Sequence, residues 1–439
     1  MSRLLSYFKT KSLAEKLCVM GLFLLPYDAL PVMPTHYRPV SVYFFCLAFV
    51  LFFFFENKGK MELNNVSKWL LLFFVYSIPV GVATSLYYGN PLANVADHFA
   101  AFIMGLFAFL SLSFYFSRLW SFEVVLDRAT DILAYAYTLP IIVCVLEMLA
   151  IYTPFPMSVK FALNSVFGGW QRGRICGSSS ECAWMAMHLM TIMPVYYYRG
   201  FFLGETRRKI LFVSALTVFL ICFSLKGFLI LVVACVIFYL YHSAQKKALA
   251  EAVLKLLILV VALWGATNLM VYAASHMKAS YYTWRILNIS SATSPRELLF
   301  LDGSVFVRCG FPIIAMRIFL DNPLFGTGAG SFAYMFRDYI LTYYSEALNY
   351  GEVLLYIKTG TSANTTIYAK LFSEFGIFGA LMFLRFYIYA AINSSIRNSI
   401  ILFWSAILLA LPFQQGSYAY LPMWVGVAVI ASTKNTLKE

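Results

Sequence analysis

The sequence predicts an all-α polytopic membrane protein that forms a single integral membrane domain over residues 1–439. Hydrophobic residues make up 61% of the chain and charged residues only 12%, with a mean hydropathy of +0.76. A water-soluble domain needs a polar surface that this composition does not supply. Apolar stretches of about 16 to 25 residues also recur along the chain, and helices of this length cross the hydrocarbon core of a bilayer.

These apolar stretches predict about twelve transmembrane helices. The first follows a basic N-terminal segment typical of a signal peptide, but no small-residue cleavage site comes after it, so we assign a membrane helix there. Two longer connections separate the spans, residues 153–181 and residues 276–364. The predicted spans cover residues 14–34, 40–55, 69–88, 97–117, 130–152, 182–198, 209–225, 227–242, 253–275, 365–391, 398–413 and 418–432.

Basic residues between the spans predict the orientation of the chain. They fall in alternate short connections, and cytoplasmic connections are the ones enriched in Lys and Arg. Both termini are therefore predicted to lie in the cytoplasm, with residues 153–181 and 276–364 outside. The same pattern accounts for most of the net charge of +13, so no nucleic acid partner is expected. The basic residues in question are Lys58, Lys60, Lys68, Arg118, Arg128, Arg199, Arg207, Arg208, Lys209, Lys246, Lys247, Lys255, Arg397, Lys434 and Lys438.

The shorter outer loop carries basic residues on the side where short loops usually lack them. Lys160, Arg172 and Arg174 all lie in it, which predicts an anionic ligand on the outer side. Glu181 ends this loop and is a candidate general base beside an arginine-held substrate. The alternative for Glu181 is a carboxylate at the start of a helix, where the helix dipole favours it.

Two further features of this region remain open at the level of sequence. His188 follows Glu181 by seven residues, on the same helix face but about 10 Å along the axis, so the two are not expected to touch. His188 is either part of the site or a packed polar residue inside the membrane. Cys176 and Cys182 would pair if their loop faces an oxidising compartment.

The longer outer loop contains a cationic helix. Residues 303–320 predict an amphipathic helix that is broken or kinked at Pro312. Arg308 and Arg317 are nine residues apart and would lie on opposite faces of an unbroken helix. Both reach one phosphate only if Pro312 reorients one of them. Arginine suits pyrophosphate because its planar guanidinium donates two parallel hydrogen bonds.

A glycine-rich turn follows this helix and holds Gly326, Gly328 and Gly330. Backbone amides in such a turn can bind a phosphate group. The sequence favours a purely structural turn, because no strand precedes it as in a nucleotide-binding fingerprint.

Two charged residues outside the loops also need an explanation. Lys226 lies in a short outer turn, where it either extends to the membrane interface or adds charge to the outward site. Glu374 lies in the helix after the long loop, and a carboxylate there is costly without a partner. Lys370, four residues earlier, is the predicted partner of Glu374.

Three segments together match the pattern of a known family. Arg308 with the run AMRIFLDNPLFGTGAGSF resembles its arginine, helix and acidic-x-Pro-Leu-x-Gly-x-Gly arrangement. TTIYAKLFSEFGIFGALMFL resembles its segment after the long periplasmic loop, with a Glu-x-Gly-x-x-Gly pattern, and residues 174–181 resemble an arginine-x-x-Gly-x-x-x-Glu element. These segments are similar to the O-antigen polymerase and O-antigen ligase superfamily of bacterial envelope glycosyltransferases.

The resemblance implies a GT-C-type glycosyltransferase of the bacterial inner membrane that needs no cofactor and no metal. Donor and acceptor would be oligosaccharide repeat units linked to undecaprenyl pyrophosphate, joined with inversion at the periplasmic face. Membrane lipid and a chain-length regulator protein would be its other partners. Arg174 and Arg308 would hold the leaving pyrophosphate while Glu181 deprotonates the attacking hydroxyl. We expect substrate binding from Arg172, Gly177, His188, Lys226, Arg317, Gly326, Gly328, Asn364 and Thr365.

One departure from the family pattern favours a polymerase. Ligases of the family usually carry a histidine just before the helix that follows the long loop, whereas this chain has Asn364, Thr365 and Thr366 there. A ligase that transfers finished glycan to lipid A core is therefore the second hypothesis. A transporter or flippase for a lipid-linked sugar is the third, because most predicted helices lack the charges that line such a pathway.

Overall fold

The computed structural model describes residues 12–30, 39–60, 65–119, 121–169, 173–222, 224–245, 249–276, 287–288, 290–359, 366–392 and 398–432. Within these residues the protein is helical and contains no strand. Six helices are long and apolar enough to cross a membrane: Asn65–Tyr87, Leu92–Ser117, Phe122–Tyr152, Leu225–Ala244, Gly303–Asp321 and Ile367–Ala391. Shorter apolar helices cover Ser41–Glu56, Ser399–Phe413 and Leu421–Ala431. The predicted helical membrane class is confirmed, and the number of about twelve spans stays a prediction.

Nine α-helices lie in the first half of the described chain. They are α1 (Leu13–Phe23), α2 (Ser41–Val50), α3 (Asn65–Tyr87), α4 (Leu92–Ser117), α5 (Phe122–Ala136), α6 (Thr138–Tyr152), α7 (Met157–Phe167), α8 (Cys182–Tyr197) and α9 (Thr206–Cys222). The described remainder contains α10 (Leu225–Gln245), α11 (Leu249–His276), α12 (Pro295–Leu299), α13 (Gly303–Asp321), α14 (Phe332–Tyr343), α15 (Gly351–Thr359), α16 (Ile367–Ala391), α17 (Ser399–Ala410) and α18 (Leu421–Ala431).

The first helix is shorter than the predicted span over residues 14–34. It has 11 residues and ends at Phe23, which gives a length of about 16 Å, well below the thickness of a bilayer core. The chain then turns, with the Tyr27 amide donating to the Leu24 carbonyl at 3.1 Å. Pro26 lies in this turn and cannot continue a helix, because it lacks an amide hydrogen and its ring clashes with the preceding turn.

The membrane helices pack around α18. All eleven residues of α18 are buried, and it packs against α4 and α16. Aromatic rings fill the contact, with Trp424 lying against Phe102, Phe383 and Phe386. A helix that is apolar on every side, as α18 is, must be surrounded by other apolar helices.

The long loop forms a second, smaller aromatic core. Phe306, Phe311, Phe332 and Phe336 pack together where α13 meets α14 and α15. The predicted break near Pro312 takes the form of a π turn over Phe306–Gly310, immediately before the proline. Such turns accommodate a local change of hydrogen-bond register and often occur at functional sites. Arg308 lies inside this turn.

The glycine-rich turn and α16 interlock through their backbones. Gly376 has φ 62° and ψ −166°, which interrupts α16 in a region that side chains rarely adopt. The carbonyls of Ser373 and Glu374 accept hydrogen bonds from the amides of Thr327 and Gly328, both at 2.9 Å. These contacts anchor the long loop on α16 and fix the position of Glu374.

Candidate functional site

A cavity of about 510 Å³ lies where the membrane helices meet the helices of the long loop. It is lined by residues from α4, α8, α10 and α16 on the membrane side and from α13, α14 and α15 on the loop side. Its walls carry carboxylates, cations and one imidazole: Asp97, His98, Glu181, Lys226, Arg308, Glu352, Lys370 and Glu374.

The N-terminal segments of four membrane helices face this cavity. Glu181 and Lys226 lie at the starts of α8 and α10, whereas His98 and Glu374 lie about two turns into α4 and α16. These are the helix ends that the basic-residue pattern predicts to face outward. Because the first turn of a helix carries partial positive charge, the starts of α8 and α10 favour an anionic ligand.

Three residues predicted from the sequence come together here. Glu181, Lys226 and Arg308 all line the cavity, although they lie far apart in the chain. With Glu352 they form a group whose charges act on one another, and we call these four residues the arginine cluster. Lys226 is half-buried, and its ammonium lies 5.8 Å from the centre of the Trp184 ring.

Arg308 is held by its own helix. Its Nη1 donates to the carbonyl of Ser304 at 3.0 Å and also contacts the Ser304 hydroxyl. The guanidinium is half-buried on the cavity wall. Because Ser304 orients one edge of the planar group, a ligand meets a guanidinium of defined direction, which is the condition for paired hydrogen bonds to phosphate oxygens.

Glu181 occupies the N-cap position of α8. Its carbonyl accepts from the amides of Trp184 and Met185, both at 3.1 Å, whereas its side chain makes no capping hydrogen bond. Glu181 does lie at the start of a helix, so the alternative of a carboxylate favoured there by the helix dipole stays open. The carboxylate lies on the cavity wall with Lys226 and Glu352 within electrostatic reach.

Glu352 is a cavity residue that sequence analysis missed. It lies in the first turn of α15, where an acidic residue is ordinary, so no local signal distinguishes it. Its side chain is accessible at the cavity wall, but desolvation by the surrounding protein raises the pKa of its carboxyl group. The negative charges of Asp302 and Glu181 act in the same direction, while the positive charges of Arg308 and Lys226 oppose it. A carboxyl group with a raised pKa is better matched to proton transfer near neutral pH.

Glu374 pairs with a residue other than the predicted Lys370. Its Oε2 lies 2.9 Å from Nδ1 of His98 on α4, and both side chains are almost completely buried. The Lys370 ammonium instead lies 5.9 Å from the centre of the Tyr418 ring. Spacing along one helix predicted the wrong partner because α4 packs close enough for its imidazole to reach the carboxylate first.

A buried carboxylate, that of Glu147, accepts hydrogen bonds from several groups of the shorter outer loop. Glu147 Oε2 accepts from the amides of Cys176 and Gly177 at 2.8 and 2.7 Å. Its Oε1 accepts from Lys160 Nζ at 3.0 Å, and Lys160 also donates to the Arg174 carbonyl at 2.6 Å. Lys160 is fully buried, so its prediction as part of an outward basic surface for an anionic ligand is wrong.

Arg174 and Gly177 contribute to this loop rather than to the cavity wall. The Arg174 side chain lies beside Cys182 at the start of α8, and Arg174 is not among the residues that line the cavity. Gly177 uses its amide on Glu147, so its prediction as a substrate-binding residue is not supported. Cys176 and Cys182 are both buried, and no disulfide bond joins them in this structure.

His188 has two protein partners deep in the helix bundle. Its Nδ1 lies 2.6 Å from the Tyr137 hydroxyl, and its Nε2 lies 3.0 Å from Asp28 Oδ2. The side chain is fully buried and does not line the cavity. Of the two interpretations of His188, the packed polar residue is correct.

The remaining loop candidates lie away from the cavity wall. The Arg317 guanidinium stacks over the Tyr343 ring, 3.4 Å from its centre, so Arg308 and Arg317 do face different surroundings. The amides of Gly326 and Gly328 donate to the carbonyls of Asn322 and Glu374 at 3.2 and 2.9 Å. Because these donors are used within the protein, Gly326 and Gly328 do not offer their amides to a phosphate group. Arg172, Asn364 and Thr365 lie outside the described residues.

The chain matches no protein-family model, and no curated protein is similar enough to indicate a family. The geometry and charge of the cavity are therefore the basis on which a function is assigned.

Proposed function

We propose that the protein is a polysaccharide polymerase of the bacterial inner membrane. It joins oligosaccharide repeat units that are carried on undecaprenyl pyrophosphate, and it does so at the periplasmic face. The observation that carries this proposal is the arginine cluster, because it combines two cations and two carboxylates in one cavity at the ends of membrane helices. The resemblance of residues 174–181, 308–332 and 365–384 to the O-antigen polymerases supports the same assignment.

The two cations of the cluster bind the pyrophosphate of the donor. Arg308 supplies a guanidinium whose direction Ser304 fixes, and Lys226 adds a second positive charge on the same wall. Both stabilise the negative charge that grows on the leaving pyrophosphate as its bond to the sugar breaks. The lipid tail stays in the bilayer, so its headgroup reaches a cavity at the helix ends without leaving the membrane.

A carboxylate of the cluster activates the acceptor. The acceptor hydroxyl oxygen attacks the anomeric carbon of the donor sugar, and the bond to the pyrophosphate oxygen breaks with its electron pair. The proton of the hydroxyl passes to Glu181, the candidate base, with Glu352 as the second carboxylate within electrostatic reach. A single displacement inverts the configuration at the anomeric carbon.

The test is a glycan ladder made by the purified protein from synthetic undecaprenyl-pyrophosphate-linked repeat units. Wild type is compared with Glu181→Gln and Glu352→Gln, which remove the charge while keeping the size. We expect a ladder from wild type and a loss of about 10²-fold or more in rate for Glu181→Gln. Glu346→Gln is the matched control, because Glu346 is an exposed carboxylate of the same loop that pairs with Arg296 outside the cavity. The same ladder in EDTA tests metal independence.

Other outcomes would redirect the assignment. Loss of the ladder in Glu352→Gln alone would make Glu352 the base. A wild-type protein that makes no ladder from the repeat unit of its host strain would contradict polymerisation. A deletion strain that still accumulates long lipid-linked polymer but does not attach it would identify a ligase that transfers finished glycan to lipid A core.

A further inference from the structure

One wall of the cavity is built from polar side chains that the mechanism above does not use. His98 comes from α4, Glu374 from α16, and Gln415 and Tyr418 from the connection between α17 and α18. Their exposed fractions are 6%, 0%, 3% and 1%. Polar groups buried this deeply are almost always hydrogen-bonded in proteins.

Three of these side chains have polar atoms without a hydrogen-bond partner in the described part of the chain. Gln415 Nε2 and Tyr418 Oη have none. His98 Nδ1 also makes no hydrogen bond of acceptable geometry, although it lies 2.9 Å from Glu374 Oε2. Gln415 is nevertheless held in place, because its Oε1 accepts from the Ser417 amide at 2.9 Å. A ligand of the cavity would satisfy these atoms.

The charges of this wall are separate from those of the arginine cluster. His98 and Glu374 interact electrostatically with each other and with Lys370. Lys226 and Glu352 instead interact electrostatically with Arg308 and Glu181. The Glu374 carboxylate disfavours a phosphate group here, and the Lys370 ammonium disfavours a free cation. The chemistry that fits is uncharged and offers several hydroxyl groups, which both donate and accept hydrogen bonds.

We propose that His98, Gln415 and Tyr418 bind the hydroxyl groups of the acceptor sugar, and we call these three residues the hydroxyl site. This inference rests on the proposed polymerase function, in which the donor pyrophosphate occupies the arginine cluster. A neutral acceptor sugar offers hydroxyl groups and no charge, so it fits the wall that lacks the arginine. Both walls face one cavity, which brings the acceptor hydroxyl toward the donor anomeric carbon.

The sharpest variant is Tyr418→Phe, because it removes only the hydroxyl oxygen. Tyr418 Oη has no described protein partner, so folding is not expected to suffer. Tyr420→Phe is the matched control: it removes the same atom two residues further on, where the ring packs on His188 outside the cavity lining. His98→Asn is the second variant, because it replaces the imidazole ring with a shorter polar side chain that still reaches toward Glu374.

The measurement is binding of a free repeat-unit oligosaccharide to the purified full-length protein in nanodiscs. The probe is the oligosaccharide released by mild acid from lipid-linked intermediates of the host strain. We expect Tyr418→Phe and His98→Asn to weaken binding by about three- to ten-fold, the loss of one hydrogen bond, and Tyr420→Phe to leave it unchanged. With this oligosaccharide as acceptor in the transfer assay, KM for the acceptor should rise while KM for the donor stays the same.

The outcomes separate this site from the polymerase proposal. If wild type does not bind the oligosaccharide, or if both variants bind it as wild type does, the hydroxyl site is wrong even where the glycan ladder forms. If binding depends on Tyr418 and His98 but no ladder forms from any donor, the hydroxyl site is supported and the polymerase function is not.

Discussion

At the scale of single residues, side chains that look equivalent in the sequence differ in whether they line the cavity. Arg308 and Arg317 belong to the same helix, yet only Arg308 lines the cavity, while Arg317 stacks on Tyr343. Ser304 holds the Arg308 guanidinium from one turn earlier. The fixed direction of the guanidinium matters because this planar group donates two parallel hydrogen bonds. A lysine ammonium does not donate such a pair, so its orientation matters less.

Replacement of Arg308 is therefore expected to distinguish charge from geometry. Arg308→Ala should lower the rate of ladder formation by about 10²- to 10³-fold, the effect of removing one donor to a developing negative charge. Arg308→Lys should retain part of the rate, because it keeps the charge and loses the paired donors. The measurement is the initial rate of chain extension at saturating donor.

Arg317→Ala is the control for this experiment, since it removes the same group from the same helix outside the cavity lining. Full activity in Arg308→Ala would exclude Arg308 from the site. An equal loss in Arg317→Ala would indicate that both changes act by disturbing α13.

At the scale of elements, the break in α16 is what joins the long loop to the membrane helices. The amide of Ile377, just after the break, donates to the Pro323 carbonyl at 2.8 Å. Together with the two hydrogen bonds from Thr327 and Gly328, this links the glycine-rich turn to α16 on both sides of Gly376. Two of the three segments that resemble the polymerase family are thus parts of one packed structure, and Glu374 faces His98 from within it.

Gly376→Ala should destabilise the protein and abolish activity. The backbone conformation at Gly376 is strained for any side chain, which costs about 1–3 kcal/mol. A Cβ there would also lie 2.2 Å from the Leu324 carbonyl oxygen, so the turn would have to move. Thermal unfolding of the purified protein in detergent measures the loss.

Gly265→Ala is the comparison, because a Cβ at Gly265 in α11 meets no atom within 4 Å. We expect this variant to unfold at the wild-type temperature. A Gly376→Ala protein as stable as Gly265→Ala would show that the interlocked turn is not required for the fold.

At the scale of the whole molecule, the basic-residue pattern predicts the side on which the cavity opens. The membrane helices that line it contribute their N-terminal ends, and the basic-residue pattern directs these ends outward. One helix needs a separate test. α13 is long and apolar enough to cross a membrane, yet it packs within the aromatic core of the long loop and against α16.

Labelling of single introduced cysteines with an impermeant maleimide tests both points. Ser290→Cys and Asp338→Cys flank α13 at exposed positions and should both react in intact spheroplasts. Arg207→Cys, exposed in a connection predicted to be cytoplasmic, should react only after the membrane is permeabilised. Wild type supplies the background from the native cysteines.

Reaction of Ser290→Cys and Asp338→Cys from opposite sides would mean that α13 spans the membrane. Reaction of Arg207→Cys in intact spheroplasts would reverse the predicted orientation, and with it the side on which the cavity opens.

The sequence by itself determined the features that depend on neighbours along the chain. Apolar stretches of sufficient length predicted the helices, and an amide-free proline predicted the irregularity that became the π turn before Pro312. Glu181, Lys226 and Arg308 were identified for a similar reason: each is a charge at the edge of an apolar segment, where local context makes it unusual.

Only the tertiary structure decided which residues share the cavity. His98 and Glu374 are separated by 276 positions and meet because α4 and α16 pack near each other, whereas spacing within one helix had pointed to Lys370. In the same way, Lys160 and the Gly177 amide donate hydrogen bonds to the distant Glu147 carboxylate, so they are not part of the candidate site. Helical periodicity and hydropathy are short-range properties, but the partner of a buried charge is set by packing between distant segments, and no local pattern encodes it.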